Sequence, residues 1–256
     1  MEIQPKVPNW KIGKKDKEYL FSLFFSSRKR PDFLNETLRR IYTKAENPSN
    51  IQTVIRLDLD DPELSENLKI IQKWNAYGVV GPRLDGYESL HIYYEECARV
   101  SSGRYLWQLN DDGWIETEKW DAVLQRELSV FSKDIFICCF DCLGIDGKGK
   151  SYDWAFPIMS RRMMNLLGGF CYGGVKYIDT ILYEAGKVMN NIHSIPIQVI
   201  HQHIWDIQPD ETSRDGCLAA YKWMTSPDGR DLYPFMARLG CQAAQILMPF
   251  WREQNK

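Results

Sequence analysis

A chain of 256 residues, 44% hydrophobic and 26% charged, has the make-up of a soluble globular protein with ample length for a buried core. Its net charge of −2 and pI near 6.1 give no overall pull toward nucleic acid or an anionic membrane, and no apolar run approaches the roughly 20 residues of a membrane span. Seven scattered cysteines lack the paired C-x-x-C spacing of a zinc site, and residues 1–17 are polar and lysine-rich, so the expectation is a cytoplasmic protein with reduced thiols and no signal peptide.

The aromatic run at residues 19–25 predicts a first buried strand. Residues 32–45 predict a helix, with Asp32 as its cap and Phe33, Leu34, Leu38 and Ile41 as its apolar stripe. Residues 51–57 predict a second strand ending in Asp58, Asp60 and Asp61, and Pro62 opens a helix toward Trp74. A short strand at Val79 and Val80 ends at Arg83. Residues 89–101 predict a helix, and residues 105–109 a strand that stops abruptly at Asn110, Asp111, Asp112 and Gly113. This alternation of strand and helix implies a mainly parallel sheet covered on both faces.

The second half is less regular. Residues 135–140 and 154–160 predict strands, and residues 163–167 a short helix. Residues 168–174 predict a flexible glycine-rich loop that lacks the Gly-Lys-Ser/Thr ending of a P-loop. Residues 177–185 predict a helix carrying Asp179 and Glu184, and residues 195–200 a strand leading to His201 and His203. A polar loop at 206–214 and helices at 218–224 and 236–248 follow.

Ligands of open α/β sheets bind beyond the carboxyl ends of the strands. Three such ends carry polar clusters: residues 26–30, 58–61 and 110–112. Clustered carboxylates suit Mg²⁺ or Mn²⁺, which neutralise phosphates. Trp107, Trp114 and Trp205 lie beside polar residues, where they would suit stacking on a sugar or a base.

In their order along the chain these elements resemble a family 2-type glycosyltransferase with the GT-A fold. The resemblance runs from about residue 20 to about residue 203. It rests on Ser26-Ser-Arg-Lys-Arg-Pro31 and the following helix, the second strand with its terminal acids, and Gln108-Leu-Asn-Asp-Asp112 in the place of the D-x-D segment. Ser160-Arg-Arg, Leu167-Gly-Gly-Phe170 and Ile178-Asp179 complete it. Two positions depart from the pattern: an amide, Asn110, replaces the first acid, and Ile178 precedes Asp179. The resemblance implies a single GT-A domain over residues 19–205, a polar extension at 1–18, and a helical extension at 206–256 packed on that domain.

It also implies an inverting transferase that moves a sugar from a UDP-type donor to an acceptor hydroxyl with Mn²⁺ or Mg²⁺. Ser26, Arg28, Asp58, Asp60, Arg83 and Asp111 would hold the nucleotide. Asp112 and one of the two late histidines, His203 before His201, would hold the metal. Asp179 would be the general base, with Glu184 as competitor, and Arg161 and Arg162 would face the diphosphate or an anionic acceptor. The acceptor could be a glycan, a small molecule, a protein or a modified nucleic-acid base. Two other functions fit the same sheet: a nucleotidyltransferase that makes nucleotide sugars, and a non-catalytic glycan or nucleic-acid binding module. The first needs a glycine-rich loop after the opening strand, where this chain has Ser26-Ser-Arg-Lys-Arg.

Overall fold

The computed structural model describes residues 10–12, 17–143, 155–201 and 227–254, and the aromatic run near its start is the spine of a six-stranded sheet. Strands β1 (Trp10–Ile12), β2 (Tyr19–Ser27), β3 (Ile51–Asp58), β4 (Tyr77–Gly81), β5 (Gly103–Gln108) and β8 (Ile158–Ser160) build it in the order β1-β4-β3-β2-β5-β8. The four central strands are parallel, and the two edge strands, β1 on β4 and β8 on β5, are antiparallel. The chain therefore steps outward from β2 to β3 and β4, then returns to lay β5 on the other side of β2. That reversal opens a crevice at the carboxyl ends of β2 and β5.

Burial explains why these runs are almost wholly apolar. Phe21, Leu23, Phe24 and Phe25 are fully buried because helices cover both faces of β2. Phe24 meets Tyr94 of α3 (Leu90–Val100) on one face, and Phe21 meets Trp120 of α4 (Trp120–Leu128) on the other. Helix α1 (Pro31–Thr43) begins one residue earlier than predicted. Pro31 occupies its first turn, where a missing N–H costs nothing, and Asp32 sits in that turn without capping it. Helix α2 (Leu64–Lys73) is the expected one after Pro62.

The second half departs further from expectation. Strands β6 (Gly113–Ile115), β7 (Cys138–Leu143) and β9 (His193–His201) form a separate three-stranded sheet in the order β6-β9-β7. The strand expected at 135–140 starts three residues later, and Ile135, Phe136 and Ile137 are core residues outside it. Helix α4 was not anticipated, although Trp120, Leu124 and Leu128 are buried at four-residue spacing. Helices α5 (Arg161–Leu167) and α6 (Ile178–Met189) agree with the sequence, and α7 (Pro227–Gln254) extends well beyond the expected 236–248 and packs along α6. The helix expected at 218–224 and the loop at 206–214 lie outside the described residues.

The glycine-rich segment 168–174 is anchored, not loose. Glu95 accepts hydrogen bonds from the Phe170 and Cys171 amides at 2.8 and 3.2 Å, and the Phe170 ring packs edge-on against Phe24 at 4.8 Å. Trp107 is likewise no stacking platform: it is fully buried against Phe140 and Trp120. Trp114 lies under the Arg40 guanidinium, and Trp205 is outside the described residues. No disulfide joins the described cysteines, four of which are buried, and no three metal-ligating residues cluster among the described residues.

Candidate active site at the carboxyl ends of the sheet

Three polar clusters predicted from separate stretches of sequence converge at the carboxyl edge. The first joins β2 to β3. Arg28 reaches Asp60 at 2.8 Å and Asp58 at 3.4 Å, and the charge of Arg83, just beyond β4, acts on both acids. Ser26 sits half-buried at the end of β2, in register with Arg56 of β3. Burial pushes the Asp58 carboxyl up, and the nearby Arg56 and Arg28 pull it back down.

Asp61 has a different task. Its carboxylate accepts from the Lys29 amide at 3.1 Å, the Glu63 amide at 3.0 Å and the Asn67 side chain at 3.0 Å. It thereby ties the start of α2 to Lys29, which has a left-handed backbone conformation, φ 58°. Asp61→Ala should lower stability by about 2 kcal/mol, because it strands the buried Asn67 amide and frees the Lys29 and Glu63 amides. Thermal denaturation checks this; an unchanged melting temperature would show that the tie carries no weight.

The second cluster centres on Asp111, which is buried at the end of β5. Ser27 donates to one of its oxygens at 2.9 Å and Arg30 to the other at 3.2 Å, while Thr37 of α1 donates to its backbone carbonyl at 2.6 Å. Burial raises this carboxyl; Arg30 opposes the rise and the Asp112 charge adds to it. Ser27 and Arg30 belong to the polar cluster at 26–30 read from the sequence, but their link to Asp111 and the part of Thr37 were not anticipated. Their pairing with residue 111 spans more than seventy positions and leaves no local pattern.

The third cluster holds Asp112. Gly113 of β6 pairs with His201 of β9, and that register carries the His201 Nε2 to 3.4 Å from an Asp112 oxygen. The Asn110 amide lies 3.4 Å from the same imidazole nitrogen, and Tyr94 donates to the Asn110 carbonyl at 3.4 Å. His201 is thus the histidine seen beside the acid; His203 lies outside the described residues. A carboxylate oxygen and an imidazole nitrogen at this separation fit a shared cation, since adjacent ligands at about 2.1 Å in an octahedral shell stand about 3 Å apart. Where the resemblance leads one to expect a carboxylate, Asn110 turns its amide nitrogen to the imidazole and its carbonyl to Tyr94.

Asp179 occupies the first turn of α6 and retains some exposure. Burial raises its carboxyl to about 6, with hydrogen bonds from Thr180 pulling the other way. No charged neighbour is needed for the shift, which poises the group for proton transfer near neutral pH. Glu184, one turn further along the helix, is occupied: it accepts from Lys187 at 2.9 Å and from Tyr233 of α7 at 2.7 Å. That places it in the α6–α7 interface. The arginines expected to face a diphosphate are also otherwise engaged. Arg161 donates to the carbonyls of Ala98, Ser101 and Gly103 around the end of α3, and Arg162 stacks on Phe250 of α7. Between α3 and the 168–174 segment runs a groove of about 490 Å³, lined by His91, Glu95, Glu96, Arg99 and the glycines of that segment.

No known family model matches the sequence, and no curated protein does. Solved structures do match in shape. S. aureus TarS superposes with a TM-score of 0.55 at 11% identity, over 81% of this chain and 40% of TarS. Its 1–349 fragment in complex with UDP-GlcNAc gives a TM-score of 0.52 at 10% identity, over 81% of this chain and 67% of the fragment. The mannosyltransferase PcManGT from Pyrobaculum calidifontis, in complex with GDP-Man and Mn²⁺, gives 0.50 at 11% identity, over 93% of this chain and 77% of that one. The match thus spans less than half of that TarS chain. At such identities the likeness is one of architecture: the chain has a glycosyltransferase fold of the GT-A type.

Proposed function

We propose that this protein is a metal-dependent glycosyltransferase that takes its sugar from a nucleoside diphosphate, UDP in the first instance, and inverts the anomeric centre. The observation that carries the reading is the juxtaposition of Asp112 and His201 at the crevice where the strand order reverses. Neighbours of the same fold include complexes with UDP, UDP-GlcNAc and GDP-Man with Mn²⁺, which supports a nucleotide-sugar donor.

In this reading Asp58 accepts a hydrogen bond from the base, with Arg28, Asp60 and Arg83 around it and Ser26 beside the nucleotide. Asp111, steadied by Ser27 and Arg30, faces the ribose. Asp112 and His201 hold Mn²⁺ or Mg²⁺, which when bound neutralises the departing diphosphate. Asp179 takes the proton of the acceptor hydroxyl as that oxygen attacks opposite the leaving group. A single base and direct displacement give inversion. Retention of anomeric configuration in the product would rule out this scheme while leaving the donor site standing.

The engagement of Arg161 and Arg162 elsewhere sharpens the test. UDP should bind at least about tenfold more weakly when divalent ions are chelated, because those two cations do not stand in for the metal. Titration calorimetry with UDP, with Mn²⁺ and with chelator, measures this. Equal affinities would remove the metal from the reading.

A further inference from the structure

Arg56 lies in the middle of β3, and its side chain is 1% exposed. Arginine is almost never buried to this degree unless its charge and donors are matched. Here they are matched by three segments that meet behind Asp58. Nε donates to Glu96 of α3 at 2.8 Å, Nη2 to the Pro82 carbonyl at 2.7 Å, and Nη1 to the Leu57 carbonyl. The same Nη1 stands 3.4 Å from Asp58 Oδ1, and the guanidinium lies over the Tyr93 ring at 4.5 Å. Tyr93 in turn accepts a hydrogen bond from the Leu84 amide at 2.8 Å. The end of β3, the turn after β4 and α3 are all registered on one guanidinium.

We propose that Arg56, which touches no substrate, is the positioning residue that holds Asp58 as a fixed, ionised acceptor and thereby makes the donor site select a ring N–H-bearing pyrimidine, uracil or thymine, over cytosine. The inference rests on the donor reading given above. A carboxylate only accepts hydrogen bonds, so it pairs with the ring N–H of uracil and meets a lone pair on cytosine. A neutral carboxylic acid also donates and would tolerate both.

Asp58 needs help to stay ionised. It is buried, and burial favours its neutral form. The charged groups that face it are Arg56, Arg28, Arg83 and Asp60; the first three favour the carboxylate and Asp60 opposes it. Arg56 leads the favourable set and is the most buried of the pairs, where screening by water is least. Arg56 approaches Oδ1 and Arg28 approaches Oδ2, each at 3.4 Å, and a carboxylate oxygen has a second lone pair to offer a further donor. Gly81 provides the necessary room: a Cβ there would stand 2.9 Å from Arg56 Nη2.

The test compares UDP and CDP binding by calorimetry in Mn²⁺, at pH 7.5 and 5.5, for the wild type, Arg56→Met and Gly81→Ala. The wild type should prefer UDP. In Arg56→Met that preference should fall roughly tenfold or more at pH 7.5, the worth of a charge-assisted hydrogen bond, and further at the lower pH, because losing the guanidinium moves the carboxyl in the direction burial already pushes it. Gly81→Ala pushes the fork aside while keeping every charge, and should show part of the same loss. General destabilisation weakens both nucleotides alike and leaves their ratio in place. A wild-type ratio in Arg56→Met at both pH values would overturn the proposal. Should Arg56→Met not fold, an unchanged ratio in Gly81→Ala would do so. Failure of the wild type to bind either nucleotide would instead bring down the donor reading, and this inference with it.

Discussion

Asp179→Asn should bind UDP and Mn²⁺ like the wild type and lose sugar transfer by about 10²- to 10⁴-fold, the usual worth of a positioned general base. The amide keeps the shape of the side chain and its place in the first turn of α6, but cannot take a proton. Release of sugar from a UDP-sugar, to water or to an acceptor, reads the loss. The wild-type rate should rise with pH through about 6, where the Asp179 carboxyl ionises. The same burial has a sign for stability. A carboxyl raised from 3.8 to about 6 in the folded protein favours folding below its unfolded value, and that advantage is lost as pH climbs through about 6. Asp179→Asn should therefore melt no lower than the wild type at pH 7.5, with the difference fading toward pH 4. A transfer rate near the wild-type value would take the base role from Asp179. Loss of UDP binding would move Asp179 to the donor side.

Asp112→Ala should abolish cation-dependent UDP binding, by at least about 100-fold, since even residues that only support a metal ligand are worth 10- to 100-fold. The protein should stay folded, with stability changed by no more than about 1 kcal/mol. Asp112 is buried, and its charge works against its neighbour Asp111. Removing it loses the contact with His201 and relieves that repulsion, so the two effects offset. Calorimetry with UDP and Mn²⁺ and a melting curve decide the matter. An unfolded variant makes Asp112 structural; normal binding sends the cation to other acids, Asp111 or Asp60.

The first half of the molecule was legible because its strands are buried on both faces. Such strands are apolar runs, and a run that must stop at the sheet's edge stops in polar residues; hence Asp58 and Asp111 could be read as strand ends. What each acid does there was not legible. Asp58, Asp60 and Asp61 look alike in sequence, yet one is buried beside two arginines, one is exposed, and one ties the Lys29 amide to the start of α2. Those differences come from contacts with β2 and α3, which no local pattern encodes. Arg56 did leave a trace, a lone charge within Val54-Ile-Arg-Leu57. A cation in an otherwise apolar strand demands buried partners, and that demand was there to be seen. The small second sheet was missed because β6 is three residues long and pairs with a strand more than eighty positions away.

Asp112 ends the segment that leaves the central sheet, and His201 ends the last strand of the small one. Their closeness depends on one register, Gly113 opposite His201, and a slip by a single residue would present Ile200 instead and turn the imidazole to the other face. A cation held by both side chains would add a rivet between two sheets that already share packing, Trp107 of one stacked on Phe140 of the other. On the proposed reading, loading the metal would do more than neutralise phosphate. It would fasten the late part of the chain to the early part, so that the C-terminal strand gains order from the same ion that prepares the donor.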